Sequence, residues 1–160
     1  MKNITLIVNK AYVYDEVAKT TAYAGLKMMA EDATAYERIF TTDEDRLLLE
    51  RFWVETCNIV TNQLKSFIAS VESQPISHGI DLTRNYDVTL KLSSSFDEGL
   101  TEAINTSLFS FFVSSIVSKW FVFANKPEAE SFTIGAAGIM DDIMRKIYYK
   151  KRVSRASMGL

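Results

Sequence analysis

One histidine and one cysteine are all that the 160 residues offer for imidazole or thiolate chemistry. Structural zinc needs a set of Cys and His ligands, and acid–base catalysis most often recruits His, so most metal-dependent and hydrolytic sites are disfavoured at once. His78 stands beside Gly79 in a polar stretch that also holds Pro75, and reads as an exposed loop histidine. Cys57 falls on an apolar helical stripe with no basic neighbour to stabilise a thiolate, so it reads as a small hydrophobe. A lone cysteine also excludes an internal disulfide. Asp141 and Asp142 are adjacent, and on a helix their side chains diverge by about 100°, too far apart to share a proton or a metal. Salt bridges to Arg145 and Lys146, four residues on, are their expected duty. The acidic run 43–45 lacks the alternating oxygens and the glycine of a calcium loop and reads as a helix cap. No phosphate-cradling glycine loop, dinucleotide fingerprint, nucleophile elbow or C-x-x-C is present. The expectation is a protein that is not an enzyme and needs no cofactor or metal.

Charge is where the sequence departs from the ordinary. Residues 145–160 hold Arg145, Lys146, Lys150, Lys151, Arg152 and Arg155 with no acid, a local +6. The whole chain is −2, so the rest of it is acidic. A helix C-terminus needs only one or two cations to complement its dipole, which makes this run longer than a solvated helix end requires. Tyr148 and Tyr149 interleave with the cations, a mixture suited to phosphates or carboxylates. Lys146, Tyr149, Lys150, Lys151, Arg152 and Arg155 are therefore the candidate contacts to a partner or to DNA.

The elements that must carry these residues are mostly helical, because 2 Pro and 6 Gly leave too little punctuation for a sandwich or barrel. The length suits one helical domain, 1–149, followed by a basic tail, 150–160. The fold class expected is mainly α: an antiparallel bundle of about four helices with a small β element, made of a short N-terminal run at 4–8 and a strand near 86–92. A first helix is read over 14–30. Thr42 and the acids after it cap a long second helix, whose stripe Leu49, Trp53, Cys57, Val60, Leu64, Phe67 and Val71 carries it to Val71. Residues 74–85 form a loop, and Tyr86, Val88, Leu90 and Leu92 then alternate with polar residues as a half-buried strand. The N-terminal run, an arm at 80–82 or a neighbouring subunit would pair with it.

A serine-rich cap at 94–98 opens the most apolar helix, to about 124, with Leu100, Ile104, Leu108, Phe111, Phe112, Ile116, Trp120 and Phe123 covering more than half its girth. Serines and Lys119 interrupt the 108–123 stretch, which falls short of the ~20 apolar residues of a bilayer span and reads as a buried helix, not a membrane anchor. The N-terminal segment does not read as a signal peptide. Pro127 starts a last helix to about 149, striped by Phe132, Ala136, Ile139, Ile143 and Ile147. The strip Thr106, Ser110, Ser114, Ser118 and the patch Gly135–Gly138 are expected to permit close helix crossings, with a subunit interface as the alternative. The stripes of the second and third helices should form one core around Trp53, Val60, Leu64, Leu108, Phe112 and Trp120.

An acidic cap on a long helix (TTDEDRLLLERFWVETCNIVTNQLKSFI), an extended segment, an aromatic helix ending KWFVFANKPEAES and a last helix ending DDIMRKIYYKKR together resemble the head–tail connector, or adaptor, proteins of tailed bacteriophages. The resemblance spans about residues 43–155 and rests on helix order and character. It implies a structural virion protein, assembled in the host cytoplasm, forming a homo-oligomeric and usually dodecameric ring that joins portal to tail. Its implied partners are the portal, neighbouring connector or tail proteins and, non-specifically, packaged DNA. It brings no catalytic residues. The segment before residue 43 and the loop 74–85 are longer than the commoner pattern, which leaves open which ring the chain would form. The alternative is a small helical DNA-binding or adaptor protein acting through the basic end. That reading would ask for a helix-turn-helix with exposed base-reading side chains, which the sequence does not show.

Overall fold

The computed structural model describes residues 1–29, 39, 41–72 and 84–151. Ile4, Leu6 and Val8 alternate with the exposed Asn3, Thr5 and Ile7, so one face of the first strand, β1 (Lys2–Val8), is buried. Asn9 ends the strand and caps α1 (Lys10–Met28) by accepting the Tyr12 N–H at 3.0 Å. The helix thus begins one turn before the expected residue 14, because the cap is an asparagine at residue 9.

α2 (Arg46–Leu64) begins after a 3-10 turn at Asp43–Asp45. The expected threonine cap is reversed here: the Asp45 carboxylate accepts both the Thr42 N–H, at 2.8 Å, and the Thr42 hydroxyl, at 3.1 Å. The helix also stops short of Val71. Residues Ile68–Glu72 are a strand, β2, which pairs antiparallel with β3 (Tyr86–Leu92). Leu64, Phe67 and Val71 keep helical spacing, but the Phe67 N–H turns back onto the Leu64 carbonyl at 2.9 Å. The Phe67 carbonyl then takes the Lys91 N–H at 2.7 Å, starting a ladder along β3. Pairing wins because β3 would otherwise leave that edge without backbone partners.

The sheet order is β1-β3-β2. β1 pairs antiparallel with β3 along its whole length, Lys2 opposite Leu92 and Val8 opposite Tyr86, so the N-terminal run is one partner of the predicted strand. The arm at 80–82 lies outside the described residues. On the outer edge of β1, the Ile7 N–H donates to Asn105 Oδ1 at 2.8 Å, which blunts that edge.

Within the expected cap region 94–98 it is Asp97 that caps the next segment: its Oδ1 accepts the Gly99 N–H at 3.0 Å above a 3-10 turn at Glu98–Leu100. α3 (Thr101–Ala124) follows and packs on α1, α2 and β1, with Ile104, Leu108, Phe112, Ile116, Val117 and Phe121 fully buried. By length and composition Glu98–Ala124 could cross a membrane, at mean hydropathy 1.5, but contacts on several sides account for its apolar character. Phe123, expected inside, is 72% exposed. It stands at the helix end with one face on Phe52, centroids 6.3 Å apart.

Asn125 alone links α3 to α4 (Lys126–Tyr148), so the two helices run antiparallel, and Pro127 falls in the first turn of α4. Ala129, Ala136, Met140, Ile143 and Ile147 are its buried stripe, and Phe132 meets Phe121 edge-on at 5.3 Å. Ser118 supports the crossing as expected, sharing a hydrogen bond of 2.5 Å with Thr133. Gly135 and Gly138 do not: both are exposed, and a Cβ on either would meet nothing within 4 Å. The Asp142–Lys146 ion pair forms, whereas Asp141 and Arg145, both exposed, make none with each other.

The core is one cluster in which Trp53, Val60 and Leu64 of α2 join Leu108, Phe112 and Trp120 of α3, as the two stripes require. Phe112 links its layers, 4.8 Å from the Trp53 ring and 5.4 Å from that of Tyr86.

Candidate functional site

α4 delivers the candidate cations to the end of the molecule where β1 starts and β3 stops. Its last turn places Tyr148 edge-on to Phe67 at 5.4 Å, and Tyr149 then turns the chain into extended backbone. Lys150 makes an antiparallel bridge with Phe96, and the Lys151 N–H donates to the Ser95 carbonyl at 3.0 Å. The expected tail boundary at residue 150 is therefore crossed by two backbone contacts. Lys146 is half-buried and bound to Asp142, so its charge is spoken for, while Tyr149, Lys150 and Lys151 are exposed. Arg152 and Arg155 lie outside the described residues. Asp141, Met144, Arg145, Tyr148 and Tyr149 line a shallow concavity beside these lysines. It combines one guanidinium, Arg145, with two exposed aromatic faces and one exposed carboxylate, Asp141.

A second cluster was not anticipated. Lys10, whose side chain is fully buried, donates to Glu50 Oε1 at 2.5 Å, and the Tyr14 hydroxyl donates to Glu50 Oε2 at 2.8 Å. The Lys10 Nζ lies 5.9 Å from the Tyr14 ring centroid and 6.0 Å from that of Trp53, and the two rings meet edge-on. The Lys10 backbone N–H donates to Asn85 Oδ1 at 3.1 Å. Burial, and then the bond to Glu50, raise the Tyr14 phenol far above its ordinary range, so it keeps its proton and serves as a donor, not a base. Cys57 lies nearby on α2 and, against expectation, has a basic neighbour in Lys10, but burial outweighs that charge and pushes the thiol from 9.0 up to about 12, so it is inert as expected. The cluster ties α1 to α2; with Lys10 enclosed, its shape is that of a joint. The visible trace in sequence is Glu50, an acid set between Leu49 and the aromatics Phe52 and Trp53.

A groove of about 440 Å³ runs between α2 and α4 with α3 as its floor, lined by Ile59, Phe111, Ser115, Lys119, Ala136 and Met140 among others. Its one cation, Lys119, is held by Glu55 at 3.1 Å. Among the described residues no group of three or more His, Cys, Asp or Glu side chains is placed to hold a metal; His78 is outside them. No protein-family model, no curated protein and no solved structure matches the chain.

Proposed function

We propose that the chain is a structural subunit of a phage particle, a homo-oligomeric ring protein of the neck that joins portal to tail, with its basic end turned towards a negatively charged partner. The family part of this reading rests on the resemblance in helix order. The observation that carries the assembly part is an apolar patch left wet where α1 and α3 end. Leu26, Met29, Val122 and Phe123 are 55%, 43%, 54% and 72% exposed. Met28 Sδ, 3.4 Å from Asn125 Nδ2, holds the two helix ends together, so these side chains share one end of the fold. Exposed apolar side chains gathered at one end of a fold are the kind of surface on which another protein sits. In a ring the patch of one copy meets a different surface of the next, a heterologous contact that closes after a fixed number of subunits.

Light scattering and negative-stain microscopy of the purified chain test the reading. Species larger than a dimer are expected, and a Val122→Ser/Phe123→Ser variant with unchanged circular dichroism should fall back to smaller ones. A wild-type chain that stays monomeric at every concentration, and is missing from purified particles, would overturn it.

A further inference from the structure

The C-terminal cations have company from elements far away in sequence. Phe96 is a hub at this end: its carbonyl accepts Lys2 Nζ at 3.0 Å, and its backbone bridges Lys150. Phe67, which touches the Tyr148 ring, lies two residues after Lys65, and its carbonyl holds the Lys91 N–H. The end of α2, the end of β3 and the segment after α4 thereby bring Lys65, Lys91, Lys150 and Lys151 to one end of the molecule. All four side chains are exposed, and among the described residues none has an ion-pair partner. Tyr148 and Tyr149 stand among them 64% and 53% exposed. Asp141, exposed in the concavity beside Tyr148 and Tyr149, is an acid at this end with no ion-pair partner among the described residues, and the other acids are engaged. Asp142 holds Lys146 and Asp97 caps Gly99, while Glu98 and Glu102 occupy first turns, where the helix dipole favours them.

We infer that Lys65, Lys91, Lys150 and Lys151, with Tyr148 and Tyr149, form a single surface that binds the phosphate backbone of a nucleic acid without reading its sequence. Ammonium groups with no protein acceptor are the donors that phosphate oxygens and released counterions reward. Their spread over three elements gives the surface width to follow a backbone, and the exposed rings add faces for sugars or bases. Among the described residues no helix presents a row of base-reading side chains there, so the contacts position without specifying. The inference rests on the proposed role of the basic end as a partner surface, and is independent of ring formation.

Fluorescence anisotropy of a labelled mixed-sequence DNA duplex, titrated with the full chain over a range of salt, tests it. Wild type should bind weakly and lose affinity steeply with salt. Lys65→Ser/Lys91→Ser should weaken binding, and the slope of log K against log salt should fall by about 1.8, at about 0.9 for each phosphate that is no longer neutralised. Lys19→Ser/Lys126→Ser removes the same charge from exposed sites elsewhere and should leave most of the slope in place. Equal behaviour of the two double variants would overturn the inference by reducing it to net charge. Binding of polyglutamate with none of the duplex would overturn it in favour of an acidic protein partner. Because the assay needs no assembly, a negative result leaves the ring reading standing, and a chain that binds the duplex yet never forms rings separates the two the other way.

Discussion

Lys10 and Lys150 are the same side chain in opposite circumstances. Lys10 is sealed between α1 and α2, with a carboxylate at 2.5 Å and two aromatic rings within about 6 Å. Lys150 projects into water and contributes to the fold only through its backbone bridge to Phe96. A charge taken out of water must have its counter-charge and hydrogen bonds complete, so Lys10 dictates where two helices meet. A charge left in water contributes little to stability and is available to something outside the molecule. The two lysines separate what holds this protein together from what it leaves in solvent.

The largest effect should come from breaking the buried pair on one side. Lys10→Met leaves Glu50 enclosed without its cation and should cost about 3–5 kcal/mol in denaturant titration. The double change Lys10→Met/Glu50→Leu should recover much of that loss, and no recovery would mean that packing around Trp53, not charge, sets the cost. Leu108→Ala should cost ~2–5 kcal/mol, because the side chain is fully buried in the core shared by α2 and α3. A change near zero would detach that helix from the joint.

High pH tests the buried side more gently. Burial raises Cys57 from 9.0 and Tyr86 from 10.0, each to about 12, and burial with the Glu50 bond raises Tyr14 further. Above pH 9 the unfolded chain therefore loses protons that the folded chain retains, and stability should fall as pH rises towards about 12. Cys57→Ala, although less stable at neutral pH, should show a shallower fall just above pH 9. The smallest effect belongs to the exposed side: Lys150→Ser/Lys151→Ser should change stability by no more than about 0.5 kcal/mol. A larger loss in thermal melting would show that these side chains also brace the contacts at Ser95 and Phe96.

Alternation was enough to read β3, because it keeps one spacing along its whole length, and α4 was legible from its apolar stripe and Pro127; β1 was visible as a β-branched run at 4–8, and α3 as an apolar stretch behind a cap. α2 misled at its end, since Leu64, Phe67 and Val71 suit a helical stripe while residues 68–72 gain backbone partners only from β3, a contact that local spacing does not contain. That error hid half of the basic surface. Lys150 and Lys151 stand out as a run of cations, whereas Lys65 and Lys91 join them only once Phe67 has turned the chain into β2. The Lys10–Glu50 joint was illegible for a similar reason, its members being 40 residues apart and each unremarkable alone. Gly135 and Gly138 show the reverse failing: small residues suggested a crossing that the helix makes through Ser118 and Thr133 instead.

The chain's only cysteine lies 2% exposed on α2. A thiol reagent can reach it only when the core around α2 opens, so its modification rate is a clock for local opening. Native folding thus leaves the surface silent to maleimide dyes. A cysteine introduced at Ser66, next to the basic end, or at Lys126, next to the end of α3, both exposed, would be labelled quickly without first removing Cys57. Either end could then carry its own reporter, one for polyanion encounter and one for subunit association, in an otherwise unaltered chain.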